Sequence, residues 1–122
     1  MLGNGLTIKK RWEFDIIFRT GLRTQGELVR LLFLKETGTR DVRVGYVVGK
    51  RQGKAHARNR GKRVLREAFR RLSPWVFSGV TVVASLKDKA LCSKSSEIYC
   101  DMARVLRKNG LLKPNWPGAA WK

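Results

Sequence analysis

Long apolar runs are missing from this chain. No stretch among its 122 residues approaches the roughly 20 consecutive apolar positions that cross a bilayer. The opening "MLGNGLTIKKRW" also lacks the hydrophobic centre of a secretory signal, so a cytoplasmic setting is expected. Cysteine is scarce: Cys92 and Cys100 form no CxxC pair, which excludes a disulfide scaffold and leaves reduced thiols as the reading. Histidine occurs once, as His56, inside a basic stretch where it reads as a polar contact or bystander rather than a general base. Acidic residues number only nine, and none cluster in a way suited to hold Mg²⁺. No nucleophile, base and acid can be assembled into one set, which argues against a self-sufficient nuclease or any other stand-alone catalyst. No catalytic or metal-binding residue is assigned, and no protein motif binds a cofactor.

Positive charge is what the chain has instead. Lys and Arg total 27, giving a net charge of +18 and a sequence pI near 11.2. Such a surface calls for a polyanion, and nucleic acid is the first choice because neutralised phosphates release their counterions. An anionic membrane surface would need an amphipathic helix with a free apolar face. Here the apolar residues, 43% of the chain, are committed to a core of ordinary size, so one domain is expected and no membrane partner.

The pattern along the chain reads helix, strand, strand, basic helix, strand, helix. "KKRWEFDIIFRTG" predicts a short helix with Gly21 as its C′ stop. "ELVRLLFLKE" and "VRVGYVVGK" predict two strands, joined through the turn "TGTRD" into an antiparallel hairpin. In the second strand, Val42, Val44, Tyr46 and Val48 share one face. "GVTVVAS" predicts a short buried strand. From Ser95, Ile98, Met102, Val105 and Leu106 form a helical core stripe that Gly110 closes. An α+β domain follows, over residues 1–110: one sheet of about four strands covered by helices on one face. The segment 111–122, "LLKPNWPGAAWK", has no periodicity and reads as a flexible tail.

Half of the net charge sits in one segment. "KRQGKAHARNRGKRVLREAFRR", Lys50 to Arg71, holds ten Lys or Arg residues against one acid, Glu67. It is expected to be helical from about Ala57, until Pro74 ends the helix. At about 100° per residue, Gly61, Val64, Leu65, Ala68, Phe69 and Leu72 fall in one arc, and Asn59, Lys62, Arg63, Arg66 and Arg70 fall opposite. The cationic side chains are expected to point away from the apolar arc. Arg58, Arg60, Lys62 and Arg63 crowd the first turns, where the helix dipole disfavours cations by a few tenths to about 1 kcal/mol each. Like charges three or four apart add a similar cost. A bound phosphate reverses both effects, because free N–H groups and cations then point at an anion. Gly49 and Gly53 give the preceding loop room for close approach.

These residues carry a resemblance. "KRQGKAHARNRGKRVLRE" resembles the arginine-rich signature of the bacterial ribonuclease P protein component: Lys50-Arg51, Gly53, Lys54-Ala55, Arg58-Asn59-Arg60, Lys62-Arg63 and Arg66-Glu67 all match it. Glu13-Phe14, Phe18 and Gly21 match the family's first helix, and "RVGYVV", Arg43 to Val48, matches the strand before the signature. The likeness covers roughly residues 6–110. Two features depart from it. Gly61 stands where the family has a bulky aliphatic residue, and the basic pair after the third main strand is replaced by Ser85-Leu86, with Lys87 and Lys89 displaced.

The resemblance implies an αββ(β)αβα order with a left-handed βαβ crossover, of the type seen in the second domain of ribosomal protein S5. It implies the non-catalytic protein subunit of a ribonucleoprotein, one protein per RNA. In such an enzyme the RNA is the catalyst that removes the 5′ leader from precursor tRNA, and Mg²⁺ comes with the RNA. Lys54, Arg58, Asn59, Arg60, Lys62, Arg63 and Arg66 are then the contacts to the catalytic RNA. Phe14, Phe18, Lys50 and Arg51 are the contacts to the leader. Phe14 and Phe18 lie one helical turn apart and can stack on bases without reading sequence, while Trp12 and Ile16, on another face, are free to serve the core. The nearest rival is a ribosomal or other structural RNA-binding protein of similar fold, which has no use for an aromatic cleft.

Overall fold

A computed structural model of the chain describes residues 6–7, 11–35, 42–48, 55–87, 90 and 93–118. The elements are β1 (Leu6–Thr7), α1 (Arg11–Thr20), β2 (Leu22–Gln25), β3 (Val29–Lys35), β4 (Arg43–Val47), α2 (Ala55–Leu72), β5 (Val80–Leu86) and α3 (Ser95–Lys108), with a 3-10 turn at Ser73–Trp75. The architecture is α+β, as expected. The strands form one mixed sheet in the order β1-β4-β5-β3-β2, the expected four plus the two-residue β1 at the edge.

The expected hairpin between β3 and β4 is not there. β5 lies between them, antiparallel to β3 and parallel to β4. Its sequence explains the insertion. "VTVVASL" is buried on both faces along almost its whole length, which suits the centre of a sheet and not an edge. The hairpin that does form is β2–β3, and β2 is a strand the sequence pattern missed. Its turn is held from a distance: the buried carboxylate of Asp101 on α3 accepts the N–H groups of Glu27 (3.1 Å), Leu28 (2.8 Å) and Val29 (3.0 Å). Gly26 is required beside it, because a Cβ there would stand 2.5 Å from an Asp101 oxygen.

The helices cover both faces of the sheet, not one. Val29, Leu31 and Phe33 of β3, Val44 of β4, and Val80, Val82, Ala84 and Leu86 of β5 pack with α2 and α3 in the main core. The alternate residues of the same strands point the other way, where Leu32 and Val83 meet Ile17 of α1, flanked by Phe14 and Val47. Trp12 and Ile16, which the sequence left free to serve the core, do not: they are 59% and 39% exposed, and Ile17 is the buried residue of α1.

Two helix ends show why glycine stands there. At the end of α3, Gly110 has φ +70°, its N–H bonds Arg107 O, and the N–H of Leu111 bonds Leu106 O, the paired closure of a left-handed C-terminus. Gly21 ends α1 differently. It has no positive φ, but a Cβ would meet Ile17 O at 2.6 Å and Phe33 O at 3.2 Å, so the helix end is pressed against β3. The segment after Gly110 packs rather than trailing freely: Leu111 and Leu112 are buried, Leu112 bridges Val76, and the Lys113 N–H bonds Trp75 O. Two apolar residues directly after the cap suffice to hold it. The ordered unit therefore extends past residue 110, and residues 119–122 lie outside the described ones.

Candidate nucleic-acid interface

Strand register builds the floor of a cleft beside α1. On the face that carries Leu32 and Val83, Gln25, Arg30, Ser85 and Val47 line up across β2, β3, β5 and β4. The next row is Arg23, Leu32, Val83 and Gly45. Ile17 seals the second row, and the first stays open. Two hollows of about 440 and 460 Å³ result, sharing Phe18 and Val47 in their walls. One takes in Arg23, Gln25, Arg30 and Ser85; the other takes in Arg11, Phe14, Asp15, Tyr46 and Lys62. The walls thus carry four cations against one acid. Phe14 and Phe18 have ring centroids 6.4 Å apart at 26°, with Phe14 half-buried and Phe18 40% exposed.

The polar side chains of α2 divide among several sides of the helix. Asn59, Arg63, Arg66 and Arg70 are exposed along its outer side. Lys62 turns into the cleft, and Arg66 lies over the Tyr46 ring, 5.8 Å from its centroid. Burial drives the Tyr46 hydroxyl up to about 12, against the opposing pull of the Arg66 charge. On the far flank, Arg60 donates to Ser93 O at 3.2 Å, tying α2 to the approach of α3. Glu67 accepts from Arg70 (2.6 and 3.2 Å) and Arg71 (3.2 Å), and the Arg70 hydrogen bond holds its carboxyl below the usual range. No acid stands in the first turn of α2, so nothing there offsets the helix dipole. α1 is ordinary by contrast, with Glu13 in its first turn and Arg19 in its last.

Of the residues singled out in the sequence, Phe14, Phe18 and Lys62 come together in the cleft, and Asn59, Arg63 and Arg66 lie open on α2. Arg58 does not point away from the apolar arc: it is half-buried, and its Nε is enclosed without a hydrogen-bond partner among the described residues. It precedes Phe69 by three turns of helix and so shares that residue's inward side. Lys50, Arg51, Lys54 and Lys89 lie outside the described residues. Sequence reasoning missed Arg23, Arg30, Gln25 and Tyr46. The signal for Arg30 was available, as a cation interrupting the run "LVRLLFL" at the period that puts it beside Leu32. Among the described residues no helix is long and apolar enough to cross a membrane.

A mixed sheet with a polycationic helix beside an aromatic-walled groove defines an α+β domain whose positive charge is concentrated next to a cleft. Comparison with known proteins supplies the family. The sequence model described as Ribonuclease P matches residues 2–110. The ribonuclease P protein component of Natranaerobius thermophilus is 31% identical over 90% of this chain and 95% of its own. That of Symbiobacterium thermophilum is 32% identical over 87% and 92%. The solved RNase P protein of Thermotoga maritima superposes with a TM-score of 0.74 at 28% identity, covering 84% of this chain and 96% of its own. A Staphylococcus aureus RNase P protein gives 0.78 at 21% identity over 88% and 97%, a likeness of fold alone. The chain belongs to the ribonuclease P protein family, whose members are protein components of a ribonucleoprotein endoribonuclease of tRNA processing.

Proposed function

We propose that this protein binds the catalytic RNA of ribonuclease P through the outer side of α2 and holds the 5′ leader of precursor tRNA in the cleft between α1 and the sheet. The carrying observation is that the cleft and the cationic helix adjoin, with Lys62 in both. A strand lying in the groove meets the Phe18 face for stacking and Arg23 and Arg30 for its phosphates. Stacking tolerates any base, which suits leaders of varied sequence. Lys50, Arg51 and Lys54 precede α2 in the sequence and add to its positive charge; Lys54 is assigned to the catalytic RNA, and Lys50 and Arg51 to the leader. One protein per RNA acts in the cytoplasm. The RNA performs the hydrolysis with its own Mg²⁺, and the protein's charge offsets repulsion between the two RNAs.

The test mixes purified protein with a bacterial ribonuclease P RNA and precursor tRNA. Protein alone is expected to leave the precursor intact, and protein with RNA to restore cleavage at Mg²⁺ levels too low for the RNA by itself. Cleavage at the mature 5′ end by RNA-free protein would establish a self-sufficient nuclease. Tight RNA binding with no rescue and no preference for precursor over mature tRNA would return the chain to a purely structural RNA-binding role.

A further inference from the structure

The attachment of α1 to the sheet is uneven along its length. Its C-terminal end is wedged: Gly21 has no room for a Cβ between Ile17 O and Phe33 O, and its N–H bonds Ile17 O at 2.8 Å. Its middle is anchored by Ile17, the helix's one buried residue, against Leu32 and Val83. In the row of Leu32 and Val83, β4 offers Gly45, which has no side chain to pack against α1. The next residue of β4 on that face is Arg43, and it forms an ion pair with Glu13. Glu13 keeps 12% of its side-chain surface and Arg43 31%, so the pair is largely withdrawn from water. Arg43 Nε is enclosed and has no hydrogen-bond partner among the described residues.

We infer that the Glu13–Arg43 pair is a positioning device: it holds the N-terminal half of α1 down on β4 and so sets where the Phe14 ring stands over the cleft. The inference rests on the leader-binding reading above and adds the residues that hold the groove at its working width. Phe14 directly follows Glu13 and is only half-buried, so packing alone does not fix it. Phe18, nearer the wedged end, depends on the pair less. Without Glu13 the Arg43 charge is left partly buried and unpaired, and it will turn toward water. It will then draw away from the underside of α1.

The experiment compares Glu13→Gln, the charge-swapped double variant Glu13→Arg with Arg43→Glu, and Phe18→Ala as a control on the cleft. Two quantities are read: NOE contacts from the Phe14 ring to Leu32 and Val47 in the free protein, and the holoenzyme's ratio of affinities for precursor and mature tRNA. Glu13→Gln is expected to weaken the NOE contacts and lower the ratio about two- to fivefold, with the swap restoring both. Full-strength NOE contacts in Glu13→Gln overturn the inference whatever the tRNA ratio does. So does a swap that restores neither quantity while its thermal unfolding stays cooperative. If Phe18→Ala leaves the ratio unchanged, the leader does not use this cleft, and the function assigned to the pair fails with that reading. If Phe18→Ala lowers the ratio and Glu13→Gln does not, only the inference fails.

Discussion

The guanidinium of Arg66 lies over the ring of Tyr46, 5.8 Å from its centroid, joining the cationic helix to the strand that floors the cleft. Two opposed influences meet at that contact. The ring is packed against the main core, which disfavours a phenolate, and the cation beside it favours one. Burial wins, and the hydroxyl moves from 10.0 to about 12.

That shift sets a pH dependence. The folded state holds the Tyr46 proton more tightly than the unfolded state does. Its contribution is therefore complete below about pH 10 and is lost as pH rises toward about 12. Two pH units correspond to about 2–3 kcal/mol. Tyr46→Phe should keep the packing and remove this alkaline loss, as read by chemical denaturation between pH 9 and about 11.5. Arg66→Ala should move the phenol titration higher still, because the favourable charge is gone. A phenol titrating near its ordinary value in the native protein would contradict the buried placement.

The cations of α2 should separate by their surroundings. Arg63→Ala and Arg66→Ala, at exposed sites, should each flatten the log–log salt dependence of RNA binding by about 0.7 to 0.9. Neither should unfold the domain. Arg60→Ala should instead cost about 1–2 kcal/mol of stability, because the hydrogen bond to Ser93 O is lost. Salt titrations and thermal melts of the same variants decide this. An Arg60→Ala protein with native stability would return that residue to the RNA-facing set.

How much of this was legible beforehand depended on range. The apolar arc of α2 and the stripe of α3 come from helical periodicity, a local property, and both are buried as read. The Gly110 stop is likewise local. Strand order is not: nothing within "VRVGYVVGK" tells that β5, far along the chain, displaces β3 as its neighbour. The two-sided burial of β5 was the available hint, since a fully apolar run needs cover on both faces. Phe14 and Phe18 were found by spacing and resemblance, whereas Arg23, Gln25 and Arg30 join them only through cross-strand register. The role of Asp101 had no local signal at all, because its partners lie more than seventy residues away.

That carboxylate is a sensitive point of the fold. Gly26→Ala drives a Cβ to 2.5 Å from an oxygen already fixed by backbone N–H groups, and should cost about 1–3 kcal/mol. Asp101→Ala leaves three N–H groups, one of them fully buried, without their acceptor, and should cost about 2–4 kcal/mol. Because the β2–β3 turn also carries Arg23, Gln25 and Arg30 into the cleft, both variants should weaken precursor tRNA binding in step with lost stability. Denaturant midpoints measured beside affinities test this; native midpoints would contradict the geometry.

The two phenylalanines should part company. Phe18 is 40% exposed and walls both hollows, so its truncation removes little packing. Phe18→Ala should leave the melting temperature nearly unchanged and cost about 1–3 kcal/mol in holoenzyme affinity for precursor tRNA. Mature tRNA, which has no leader, should bind as before. Phe14 is half-buried against Ile17, Leu32 and Val83, so Phe14→Ala removes both a stacking face and part of a small cluster. It should lower stability by about 1–3 kcal/mol, less than a fully buried Phe would. It should also reduce the precursor-to-mature ratio when measured on protein that is still folded. Melting curves and the two affinities, taken on both variants, separate the contributions. A stability loss at Phe14 with an unchanged ratio would assign that ring to packing alone. An unchanged ratio at Phe18 would mean that the leader does not use this cleft.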